Sequence, residues 1–282
     1  MIKFGPSGNS EAFHNAGLVD SALSAKWVKD MGLDCFGYSF GRGVNLSEKK
    51  AVEIGESFYK EGIEISVHAP YFINFAGVDE EKVNNSYRYL LDSAKAGKLM
   101  GAKRVVFHPS TQGKLSREEA VELTCKRLEI LAEKIYENGY EDMLICPETM
   151  GKSAQIGTTE EIARFCTIAP FYYPCLDFGH INSREQGSLK TLEDYIKNLD
   201  IIESYCGYDK LKFMHVHFSK IQYGGKGEIK HLTFDDTEYG PNFEPLAEAI
   251  KIKGLEPYIV SESAGTQDID AKFMKDFYFS LK

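Results

Sequence analysis

A chain of 282 residues, 43% of them hydrophobic, is long enough to bury a large core, and this length suits one α/β barrel as a single domain. The formal net charge of −9 argues against a surface coated with phosphate-binding lysines, although residues 42–50 and 210–231 are locally basic. No apolar run approaches the ~20 residues of a membrane-crossing helix, and residues 1–5 lead straight into strand-like sequence, so no membrane association and a cytoplasmic location are expected. The six cysteines form no Cys-x-x-Cys pair and mostly sit in apolar runs, which reads as reduced core thiols.

In chain order, short apolar strand candidates alternate with amphipathic helix patterns. Strands are expected at 2–5, 34–39, 63–68, 104–108, 143–148, 172–177, 211–217 and 258–262. Between them, residues 79–100 put Val83, Tyr87, Leu90, Leu91 and Ala94 on one stripe, and residues 116–136 do the same with Ala120, Leu123, Leu128, Leu131 and Ile135. Ser116 with Glu119, and Thr158 with Glu161, have the spacing of capping boxes. Asn138-Gly139 and Lys253-Gly254 punctuate helix ends. Eight strands each followed by helix or loop predict a (β/α)8 barrel spanning residues 1–282. An open doubly wound sheet lacks support, because no Gly-x-Gly-x-x-Gly follows the first strand. The segment between His217 and residue 243 is a long connection, the kind that carries function.

The informative pattern is what stands at the strand ends. His68 closes the third expected strand, where Pro70 stops the ladder, and the exposed pair Tyr71-Phe72 follows. His108, Glu148, Asp177 with His180, His215 with His217, and Glu262 close the next five. In a barrel these tips meet at one mouth. Any one of them has a plain structural explanation, but so many ionisable groups together need compensating positive charge. Mixed His and carboxylate donors suit zinc, or manganese, and predict a multinuclear metal site.

With these residues in place, the sequence resembles the endonuclease IV family of apurinic/apyrimidinic endonucleases over essentially its whole length. The resemblance implies a monomeric barrel holding three zinc ions and acting on double-stranded DNA at abasic sites. His68, His108 and Glu148 would ligate the first ion. Glu148 would be the bridging, catalytic carboxylate to a second, completed by Asp177, His215 and Glu262; His217 is not one of the family's ligands. His180 and His231 would ligate the third. Tyr71 and Phe72 match the pair the family inserts into DNA, and Arg42 matches an arginine that enters the gap left by the flipped nucleotide. The chain departs from the pattern at Pro6-Ser7-Gly8 and, more importantly, at Ile229, where the family has an aspartate ligand. Glu228, next to Ile229, is the available replacement, so two firmly held ions and a weaker third are expected. The main rival is a divalent-metal sugar isomerase or epimerase, which needs only Glu148, Asp177, His215 and Glu262 around one ion. A DNA- or metal-binding relative without activity is the third reading.

Overall fold

The computed structural model describes residues 1–282. Eight parallel strands form the barrel: β1 (Lys3–Pro6), β2 (Cys35–Ser39), β3 (Glu64–His68), β4 (Arg104–Phe107), β5 (Leu144–Pro147), β6 (Cys175–Asp177), β7 (His215–Phe218) and β8 (Tyr258–Ser261). They pair as two four-stranded arcs, β2-β3-β4-β5 and β1-β8-β7-β6. Parallel bridges Ser7–Gly37, Ile145–Tyr172 and Glu148–Cys175 close the ring between the arcs. At the first seam the backbones nearly touch. A Cβ on Gly5 would lie 1.7 Å from the carbonyl oxygen of Cys35, so only glycine allows β1 to meet β2 there.

The helices follow from the sequence signals. Glu80–Leu99 starts where Asp79 accepts from the amides of Glu81 and Lys82. Arg117–Glu137 and Thr159–Cys166 begin with complete capping boxes, Ser116/Glu119 and Thr158/Glu161, in which side chain and backbone satisfy each other reciprocally. Their apolar stripes, including Val83, Leu90, Leu128 and Leu131, join one continuous core with the strands. All six cysteines are free, five of them buried.

Two expected elements are drawn differently by the structure. Leu211 belongs to a short helix, Tyr208–Lys212, which starts at Gly207 with φ +80, so β7 begins only at His215. The connection after His217 is not irregular either: Ile221–Gly224 and Gly227–His231 pair as an antiparallel hairpin.

Two loops that matter for the site are held by arginines. Arg127, almost fully buried, donates to the carbonyls of Phe75 (2.8 Å) and Gly77 and to Glu80 (3.0 Å). Ile73 and Phe75 are buried beneath the same loop, worth roughly 1.5–3 kcal/mol each. That anchorage leaves Tyr71 and Phe72 56% and 55% exposed on the rim. Arg184 donates to the carbonyls of Met150, Lys152 and Gln155, fixing the loop after β5.

Candidate metal centre

At the carboxyl ends of the strands lies a cleft of about 630 Å³, lined by Ser7, His68, Tyr71, His108, His180, Glu228, His231 and Glu262 among others. Fully buried Glu148 lies beneath it, against the lining histidines His68 and His108. One carboxylate oxygen, Oε2, faces His68 Nε2 at 3.0 Å and His108 Nε2 at 3.2 Å. The other, Oε1, faces His217 Nδ1 at 2.8 Å. At the mouth the donor atoms fall into three groups, each mutually within 4.8 Å: His68, His108 and Glu148; Glu148, Asp177, His217 and Glu262; and His180, Glu228 and His231.

The position of His215 differs from expectation. It is fully buried beneath the mouth, its ring stacked on Tyr258, and it belongs to none of the three groups. His217 stands with Glu148 and Glu262 instead, its Nδ1 being 3.5 Å from Glu262 Oε1. The register explains this: β7 pairs with β6 so that His217 lies opposite Asp177 and His215 opposite Cys175. Both histidines point the same way, but two residues of strand put His215 roughly 6–7 Å deeper.

The hairpin resolves the Ile229 departure. Its register shifts between Gln222 and Tyr223, pairing Gln222 with Lys230 and Tyr223 with Glu228, so Ile229 is the extra residue of a bulge. Ile229 is 58% exposed, while Glu228 and His231, three residues apart, both face the cleft. Glu228 Oε2 lies 3.5 Å from His180 Nε2. The Glu228 amide donates to the Gly151 carbonyl (3.0 Å), and Gly227 adopts φ +93 there, where a Cβ would lie 2.1 Å from that same oxygen. Gly227→Val is therefore expected to dislodge the hairpin and lose the ion of this group, with the barrel's thermal unfolding changed far less; equal metal content in the variant would exclude this seat.

The electrostatics are those of a site built for cations. Burial alone would raise the pKa of Glu148, but His217, His108 and His68 outweigh it and hold the carboxyl well below its usual range. Burial would likewise depress His180, yet Asp177, Glu148, Glu228 and Glu262 lift it to about 9. Burial pushes Asp177 up. None of the four carboxylates is paired with a lysine or arginine.

The residues present fit divalent ions on two further grounds. Asp177 Oδ1 accepts from the His180 amide (2.7 Å), but its buried Oδ2 has no hydrogen-bond partner and only the His180 ring nitrogen at 3.4 Å, a costly arrangement unless a cation takes it. His68 Nδ1 contacts the Ala69 carbonyl at 2.8 Å and must donate to it. In the neutral ring Nε2 then carries a lone pair directed at a carboxylate oxygen, which calls for a positive charge between them. His231 Nδ1 is engaged by Ser219 (2.8 Å) and His180 Nδ1 by the Thr149 carbonyl (2.9 Å), so in both rings Nε2 is the atom left to ligate an ion shared with Glu228.

A model of the xylose isomerase-like TIM barrel family matches residues 25–276. The chain belongs to that family. A similar sequence is an uncharacterized protein of Methanocaldococcus jannaschii, 31% identical over 84% of both chains. A probable endonuclease 4 of Staphylococcus carnosus is 28% identical over 75% of this chain and 73% of its own. Among solved structures of this barrel, a D-tagatose 3-epimerase-like protein superposes with a TM-score of 0.74 at 18% identity, covering 99% and 98% of the two chains. Endonuclease IV of Thermus thermophilus does so with 0.68 at 17% identity, covering 99% and 100%. No helix of this family member is long and apolar enough to cross a membrane.

The strand-end residues His68, His108, Glu148, Asp177, His180 and Glu262 converge with Glu228 and His231, and His217 replaces His215. Arg42 lies on the loop after β2, which is tied to the Tyr71-Phe72 loop where the Tyr71 amide donates to the Gly41 carbonyl (3.2 Å). His217 was legible only as a second histidine near a strand end. Glu228→Ala is expected to lose the ion held with His180 and His231 during dialysis against a mild chelator, while the other ions stay. Equal retention in variant and wild type, measured by metal analysis, would remove Glu228 from the ligand set.

Proposed function

We propose that this protein is a metal-dependent endonuclease that hydrolyses the DNA phosphodiester on the 5′ side of abasic sites. One observation carries the reading: Glu148 is shared by two donor groups through different oxygens, and a third group lies alongside. When bound at such a centre, zinc or manganese ions supply a nucleophilic water near neutral pH and neutralise charge on the phosphate. The protein's part is positional. Glu148 fixes the spacing of the two main groups, and His180, Glu228 and His231 hold the third beside them.

The rim fits a duplex substrate. Tyr71 and Phe72 project beside the cleft, with the Tyr71 ring 6.4 Å from that of His108. An abasic nucleotide lacks its base, so it costs less to extrude than a paired one. Tyr71 and Phe72 would fill the vacated stack, and Arg42 on the adjoining loop would reach the gap. Relatives named probable endonuclease 4 support this reading.

A one-ion sugar epimerase would use Glu148, Asp177, His217 and Glu262, which also stand together. That reading leaves His68, His108, Glu228 and His231 without a purpose. The deciding assay is a duplex with one tetrahydrofuran abasic analogue, which blocks β-elimination so that any nick is hydrolytic. A nick 5′ to the analogue by the metal-replete protein is the expected result. No nick, together with epimerisation of a ketohexose, would establish the second reading.

A further inference from the structure

Beneath the centre just described lies a different donor set. β6 and β7 present two levels: Asp177 opposite His217 at the mouth, and Cys175 opposite His215 below. Donor atoms of Cys175, His215 and His217 all lie within 4.8 Å of one another, and all three residues are buried. His215 is fully enclosed, yet neither ring nitrogen has a hydrogen-bond partner. Its ring is sandwiched between Tyr258 (centroids 5.1 Å, stacked) and the edge of His217 (4.9 Å, 82°), so it cannot turn to find one. A buried imidazole with both nitrogens unpaired is costly, and native interiors rarely tolerate it.

His217 connects the two levels. Its Nδ1 faces Glu148 above, so its other nitrogen is the one available below. We propose that Cys175, His215 and His217 bind a thiolate-preferring metal ion of the zinc class, a site distinct in chemistry from the oxygen- and nitrogen-only groups at the mouth. One sulfur and two imidazoles are a fitting soft set for such an ion, with a fourth position left for water. Binding releases the Cys175 thiol proton, and also the lower ring proton of His217 when its Nδ1 is engaged above. The ion accepts the electron pairs of the thiolate sulfur and of the two ring nitrogens, and nothing is oxidised or reduced. The lone pair of His215 thereby gains the partner the fold otherwise denies it.

Sulfur ligation has its own signature, and reading it requires no DNA, so the outcome is independent of the proposed nuclease activity. The protein is produced in cobalt-supplemented medium, and its cobalt content is measured. A near-ultraviolet thiolate-to-cobalt charge-transfer band is expected in the wild type, because every other donor of the centre is nitrogen or oxygen. Cys175→Ser should abolish the band and His215→Gln should weaken or shift it, whereas Cys206→Ala, a remote thiol, should keep it. Circular dichroism checks that each variant is folded. A cobalt-loaded wild type with visible d–d absorption but no such band would overturn the proposal, as would a band that survives in Cys175→Ser. In either case Cys175 would serve only as an acceptor for the His217 ring proton.

Discussion

Replacing Glu148 with Gln is expected to abolish nicking of an abasic duplex while leaving the fold in place. The amide keeps the side chain's size, so the packing around a fully buried residue survives. It loses the charge, however, and with it one of the two oxygens: Oε2 faces His68 and His108, Oε1 faces His217, and an amide nitrogen, which has no free lone pair, can replace neither as a metal ligand. Losing a single preorganised electrostatic partner costs on the order of 10²–10³ in rate, and here two donor groups are impaired together. The expected loss is therefore roughly 10³-fold or more, accompanied by a lower metal content. Activity within tenfold of wild type would remove Glu148 from its central role.

The second large effect is expected at the rim. Tyr71→Ala with Phe72→Ala should weaken binding to abasic duplex by about 1–3 kcal/mol per aromatic, by analogy with base stacking on single-strand binders. The two side chains are already more than half exposed and are carried on a loop whose anchors are Ile73, Phe75 and Arg127. The substitution should accordingly leave both thermal stability and metal content unchanged. Stacking is local, so binding to an undamaged duplex should fall less. Equal affinity of variant and wild type for the abasic duplex in a titration at fixed salt would exclude the pair from the interface.

How much of this was legible in the sequence depends on the kind of information each feature needs. The barrel was legible because alternating strand and helix patterns are local, and the capping boxes at Ser116 and Thr158 and the Gly139 and Gly254 helix stops are local too. His68, His108, Glu148, Asp177 and Glu262 were legible as strand-end residues, since a parallel barrel gathers every carboxyl end at one face. Depth along a strand is another matter. Choosing between His215 and His217 needed the register of β7 against β6, and Leu211 in its short helix made that strand start later than its apolar run suggests. Glu228 shows the same limit: a regular strand would turn it away from His231, and only the bulge at Ile229, seated on Gly151, brings both to one side. Sequence by itself determined which residue types reach the mouth of the barrel. Tertiary structure decided which of them meet, because register and bulges are set by contacts between segments far apart in the chain, and those contacts leave no local pattern to read.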